Sequence, residues 1–115
     1  MALVEKQPGL FVAKLGKEYN FATIIYPKVN VSRFVQIGEG AIIYPGVILT
    51  VNTKIGNHVI ISGNCGIGHD TTIGDYSSVL WGSNFSGYDT VGESCFIGMW
   101  TKVVQGTSKI CGSSI

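Results

Sequence analysis

The chain has two histidines, and His69 is followed at once by Asp70 in the stretch NCGIGHDTTIGDY, residues 64–76. An imidazole with a pKa near ~6.5 can take a proton from an attacking amine or hydroxyl at neutral pH, and a carboxylate beside it can fix its tautomer and raise its basicity. The pair therefore offers a general base with an orienting partner; the alternative is a polar corner with no task. His58, in the stretch NHV, has no acidic neighbour and reads as structural. The cysteines, Cys65, Cys95 and Cys111, are odd in number and form no CxxC pair, which predicts buried thiols and a reducing, cytoplasmic setting. Cys65 and Cys95 read as core residues rather than nucleophiles.

What could position His69 is a repeat of six residues. Stepping by six from Ile25 gives Ile25, Val31, Ile37, Ile43, Leu49, Ile55, Ile61, Ile67, Ile73, Val79, Phe85, Val91, Ile97 and Val103, every one bulky and apolar. A helix cannot sustain that period, and a plain alternating strand would not select every sixth residue. Glycine often follows the apolar residue (Gly38, Gly56, Gly68, Gly74, Gly92, Gly98), where a sharp backbone turn is expected. A small or β-branched residue stands two before it, as at Ala41, Val47, Thr53, Val59, Cys65, Thr71, Ser77, Ser83, Cys95 and Thr101.

Short strands joined by tight corners satisfy this pattern, with large and small side chains both pointing inward. Three hexads make a triangular coil of about 18 residues, and stacked coils form parallel sheets with strands ~4.8 Å apart. The predicted fold is all-β, a single-stranded parallel β-helix spanning 23–115, with 1–22 as a capping segment. A short helix is expected over GLFVAKLGKEY in that cap. Near the other end Lys109 occupies an apolar slot and Ile110 follows it, which predicts one inserted residue and a bulged corner around QGTSK. The stop at Ile115 falls in mid-coil and is expected to leave strand edges open.

Outward positions should be polar on a solvated wall, yet one column reads Ile24, Ile42, Ile60, Ser78, Phe96. A wall apolar on both faces is expected to be covered by another subunit, and a three-sided prism suggests a closed trimer; the alternative cover is the N-terminal segment folded back. The composition is 45% apolar and 13% charged, with a net charge of +1, so nucleic acid and anionic membrane partners are not expected. No stretch has the layout of a signal peptide or a membrane span.

On this repeat, His69 lies at a corner, outside the core, and the residue one coil later is Gly87. A glycine there leaves backbone N–H groups and open space beside the ring. The stretches NCGIGHDTTIGDY and NFSGYDTVGESCFIG resemble the hexapeptide-repeat sugar O-/N-acyltransferases of the sialic-acid-biosynthesis type, which include N-acetyltransferases of nucleotide-linked amino sugars. The resemblance covers roughly residues 22–104. It implies a left-handed β-helix, a homotrimer and transfer of an acetyl group from acetyl-CoA to an amine or hydroxyl of a sugar or nucleotide sugar. Carried over, His69 is the general base, Asp70 assists it, and the Gly87 amide stabilises the oxyanion. Gly87, Trp100 and Gln105 are the expected coenzyme contacts, and direct attack needs no metal and no covalent intermediate.

The chain departs from that family in places. Ser62-Gly63-Asn64-Cys65 stands where Asn-Thr-Gly-Ala is common, and Trp100 stands where a small residue is usual. Such enzymes often carry an N-terminal nucleotide-sugar domain and a further C-terminal coil, which residues 1–115 do not show. Two rival readings share the fold. A γ-type carbonic anhydrase needs three histidines around zinc, against two here on different columns. A non-catalytic or truncated β-helix scaffold would leave His69 without a task.

Overall fold

The computed structural model describes the backbone of residues 2–7, 10–15 and 21–109. Two strands form an N-terminal hairpin, β1 (Ala2–Gln7) and β2 (Leu10–Leu15), followed by β3 (Thr23–Ile25). Fourteen two-residue strands, β4 to β17, then repeat at intervals of six residues. They build three walls. The first continues β1–β2–β3 with β6 (Ile42–Ile43), β9 (Ile60–Ile61), β12 (Ser78–Val79) and β15 (Phe96–Ile97). The second holds β4 (Asn30–Val31), β7 (Ile48–Leu49), β10 (Gly66–Ile67), β13 (Asn84–Phe85) and β16 (Lys102–Val103). The third holds β5 (Gln36–Ile37), β8 (Lys54–Ile55), β11 (Thr72–Ile73), β14 (Thr90–Val91) and β17 (Ser108–Lys109).

Every parallel pairing joins residues eighteen apart, as in Ile43 with Ile61, Ile67 with Phe85 and Ile73 with Val91. The chain is thus a parallel β-solenoid of about 18 residues per turn. Its inward columns pack as expected: Ile43, Leu49, Ile61, Ile67, Ile73, Val79 and Ile97 are fully buried. Each such side chain stabilises the fold by roughly 1.5–3 kcal/mol relative to exposure. Val31, 48% exposed, and Ile37, partly buried, are the exceptions, on β4 and β5, which end their walls among the described residues.

The small inward residues do a second job. Their hydroxyls bond carbonyls at the next coil's corners: Ser77 Oγ donates to the Gly92 carbonyl and Ser83 Oγ to that of Gly98, each at 2.8 Å. Among the described residues no buried side-chain nitrogen or oxygen lacks a partner. Cys65 is buried, and its thiol lies 3.1 Å from the Leu80 carbonyl. Burial pushes that thiol up from its ordinary pKa, as suits a core residue rather than a nucleophile. Cys95 is also buried, but it is disulfide-bonded, contrary to the expectation of thiols throughout.

The corners turn where the sequence reading did not place the turn. From Lys28 to Gly106 every sixth residue has positive φ, and ten of these are not glycine, among them Asn52, His58, Asp70, Tyr88 and Trp100. Gly38, Gly56, Gly68 and Gly74 stand two residues earlier, outside that set. They are glycines because the next coil passes too close. A Cβ on Gly56 would lie 2.3 Å from Asp75 Oδ1 and 2.8 Å from the Asp75 nitrogen. That Asp75 oxygen accepts the Asn57 N–H at 2.8 Å, so the contact ties two coils together.

Both ends correct the sequence reading. Residues 10–15 of the expected helical stretch form β2, antiparallel to β3 with Phe11 opposite Ile25. The open edge of β3 offers unpaired N–H and C=O groups that a strand satisfies and a helix does not. Because β2 lies edge-on to β3, these strands extend the first wall instead of folding over its face. At the far end β17 keeps the 18-residue register, Thr90 with Ser108 and Val91 with Lys109, so no residue is inserted before Lys109. Backbone ladders set that register, whatever side chain fills the slot. The rest of the expected bulge, from Ile110 onward, lies outside the described residues.

Two glycine substitutions separate the two roles. Gly56→Ala is expected to lower stability by about 2–3 kcal/mol through the collision with Asp75. Gly106→Ala has open space around its Cβ but φ of +78°, and should cost about 1 kcal/mol of backbone strain. Urea titration of the two variants beside the parent checks both values.

Candidate active site

His69 and Asp70 form the corner between β10 and β11. Asp70 takes the positive-φ position, φ 57°, which turns its side chain back toward the ring of its neighbour. Asp70 Oδ2 lies 3.1 Å from His69 Nδ1. Adjacent residues thus meet here because the corner folds them together. The His69 side chain is 46% exposed, so the ring is outside the core, open to solvent or a ligand.

Gly87 sits one coil on, against the other side of the ring. A Cβ there would fall 2.9 Å from His69 Nε2, and φ of +140° is a conformation that L side chains rarely adopt. Asp70 therefore occupies the Nδ1 side, and Nε2 faces the backbone of Gly87. The Gly87 N–H donates to Asp89 Oδ2 at 3.4 Å, a long bond. Tyr88, next in that corner, meets the imidazole edge-on with centroids 4.9 Å apart, and its N–H donates to the His69 carbonyl at 2.9 Å.

Three residues at this site were not singled out from the sequence. Asn52 Nδ2 donates to Asp70 Oδ1 at 2.6 Å. Asp89 is buried, accepting the Thr107 N–H at 2.7 Å as well as that of Gly87. Tyr88 is the third. All three follow from the eighteen-residue columns: Asn52 and Tyr88 lie one coil before and after Asp70, and Asp89 one coil after Thr71. Asp70 is held below its ordinary carboxylate pKa, first by the Asn52 amide and then by the hydrogen bond to His69.

The other sequence candidates divide between corners. Gln105 lies in the same corner column as His69 and Gly87, exposed, one coil beyond Gly87. Trp100 belongs to the corner at the other end of β16, 67% exposed, its indole laid across Gly82. Trp81 lies across Gly63 in the same manner. His58 stacks on Tyr76 at 5.1 Å with Phe21 at its edge, the structural setting expected of it. Tyr26 and Tyr44 likewise stack one coil apart at 5.1 Å. Among the described residues no group of three or more His, Cys, Asp and Glu side chains could hold a metal ion, and no helix is long and apolar enough to cross a membrane.

No family profile and no curated protein sequence matches the chain. Solved structures do match in fold. The acetyltransferase domain of PglB from Neisseria gonorrhoeae is similar at 21% identity and a TM-score of 0.56, over 80% of this chain and 53% of that one. A hexapeptide transferase family protein from Anaplasma phagocytophilum aligns with a TM-score of 0.58 at 18% identity, over 82% of this chain and 73% of that one. A variant of perosamine N-acetyltransferase from Caulobacter crescentus, in complex with CoA and GDP-perosamine, aligns with a TM-score of 0.52 at 17% identity, over 76% of this chain and 50% of that one. The architecture is that of the hexapeptide transferases. The chain spans about half the length of the gonococcal and Caulobacter proteins.

The depressed pKa gives a test of the site's electrostatics. Asp70 adds stability that is full above the ordinary carboxylate range and is lost as pH falls through its lowered folded value. Asp70→Asn is therefore expected to melt below the parent at neutral pH, with the gap closing as pH drops below about 4. Melting temperatures measured across that range check the sign.

Proposed function

We propose that this chain transfers an acetyl group from acetyl-CoA to an amine or hydroxyl of a sugar or nucleotide sugar, with His69 as general base. One observation carries the reading: Asp70 holds Nδ1 while Nε2 faces the backbone of Gly87, so close that a Cβ there would lie 2.9 Å from it. The fold shared with acetyltransferases, one of them holding CoA and GDP-perosamine, supports it.

The reaction needs little from the protein. The acceptor nitrogen or oxygen attacks the thioester carbonyl as His69 Nε2 removes its proton. Negative charge moves to the carbonyl oxygen, and the Gly87 N–H, whose bond to Asp89 Oδ2 is long at 3.4 Å, is the donor assigned to it. The carbonyl re-forms, the C–S bond breaks, and the imidazolium returns the proton to the departing CoA sulfur. Asp70 stabilises the imidazolium in between. CoA lies along the corner column of Gly87 and Gln105, with Trp100 at the far end of that wall.

The outward column Ile24, Ile42, Ile60 and Phe96 is the subunit contact of a homotrimer. Its members lie in register on the first wall, and Ile60 and Phe96 are 37% and 47% exposed. Such a stripe of large apolar groups is a normal signature of a covered face.

Isothermal calorimetry should show acetyl-CoA binding to the assembled oligomer. His69→Ala should keep that binding and lose roughly 10²–10⁴-fold in transfer to amino-sugar nucleotides. Equal rates for variant and parent would remove His69 from the role of base, and absence of CoA binding would favour the scaffold reading. Ile42→Asp with Ile60→Asp is expected to give folded monomers in sedimentation velocity; an intact, active trimer would discount the interface.

A further inference from the structure

We propose that Asn52 is a positioning residue for the base: its neutral carboxamide commits one oxygen of Asp70 so that the other stays on the imidazole. This deepens the function proposed above and rests on it. An exposed carboxylate beside a histidine is ordinarily a loose partner, and exposed ion pairs are worth about 0–1 kcal/mol because both side chains wander. Here Asp70 does not stand alone. Asn52 Nδ2 donates to Oδ1 at 2.6 Å while Oδ2 lies 3.1 Å from His69 Nδ1. The two carboxylate oxygens thus have separate tasks, and rotation of the carboxylate away from the ring breaks both contacts together.

The backbone makes this arrangement rigid. Asn52 and Asp70 occupy the same positive-φ position one coil apart, at 65° and 57°. The Asp70 N–H donates to the Val51 carbonyl at 3.0 Å, fastening one corner to the other. Asparagine is among the non-glycine residues that best tolerate this conformation, and its short side chain ends where the next coil's carboxylate begins.

A neutral donor suits the task better than a charged one. Lysine or arginine at position 52 would also grip Asp70, but its positive charge would oppose formation of the imidazolium. The amide holds the carboxylate without adding charge, so the full negative charge acts on His69. The titratable groups facing the ring are Asp70 on its own corner and Tyr88 on the next, with Asp89 inward of it. The corner below presents Val51 and Asn52, neither of which titrates, and Arg33 is one coil further away.

Nitrogen NMR of the His69 ring at one neutral pH, assigned with His69→Ala, reads the balance of its two tautomers and tests the proposal without reference to turnover. The ring is expected to favour the Nδ1–H tautomer, donated to Asp70; Asn52→Ala should lower that fraction, and Asp70→Asn should lower it further. In the Asp70→Asn background, Asn52→Ala should have no further effect, because the amide acts only through the carboxylate. Asn52→Gly, which tolerates the local φ, serves as a second variant if alanine perturbs the corner. A His69 tautomer balance unchanged in both folded Asn52 variants would overturn the proposal, as would an equal change in the Asp70→Asn background. Where transfer is measured, kcat should fall in the Asn52 variants while KM for acetyl-CoA stays unchanged. If His69→Ala proved fully active, the base reading would fall while the coupling among Asn52, Asp70 and His69 stood on the NMR result.

Discussion

The superposition of residue i on residue i+18 is the constraint from which the rest of the molecule follows. It is enforced by backbone hydrogen bonds between coils, such as Ile42 N–H to the Val59 carbonyl, Thr72 N–H to the Asp89 carbonyl and Ser78 N–H to the Cys95 carbonyl, all 2.8–2.9 Å. Once those ladders close, side chains distant in sequence become vertical neighbours. The core columns, the Tyr26–Tyr44 stack and the Asn52–Asp70 contact are all products of one register. A one-residue slip would separate all of them at once, and this explains why the register persists at Lys109 although the apolar pattern fails there.

Close stacking also governs where glycine is needed. The corner positions that demand positive φ mostly hold other residues, at about 1–2 kcal/mol of strain each for a side chain in the left-handed region. Cross-coil contacts offset that strain, as when Asn52 and Asp70 bond each other and His58 stacks on Tyr76. The glycines go instead to points where backbones nearly touch. Gly68 is such a point, with the Phe85 carbonyl oxygen 2.4 Å from where its Cβ would be. Gly87 has both properties, positive φ and a close neighbour, and that neighbour is the His69 ring.

Much of the candidate site was legible in advance because it lies in one column. The steps from His69 to Gly87 and on to Gln105 need only the period. Asn52, Tyr88 and Asp89 were equally reachable by that arithmetic, but Asn and Tyr at a corner and Asp in a column of small residues give no chemical signal alone. Their meaning appears only when a distance joins them to Asp70, His69 and Gly87. The N-terminal strands were misread for a related reason. Leu10–Leu15 is too short to show its period, and the free edge of β3, which recruits it, is not visible along the chain.

The amino-acid sequence by itself determined the winding, the inward columns, the apolar outward stripe and the corner on which His69 sits. These depend on hydrophobic spacing, and a period sustained over fourteen hexads leaves one arrangement that turns all its large side chains inward. Only the tertiary structure decided which nitrogen of His69 faces Gly87, which oxygen of Asp70 faces the ring, and what holds that carboxylate still. Those are questions of ångströms and torsion angles at a corner, where two coils meet and the backbone, not the spacing of apolar residues, directs each polar atom.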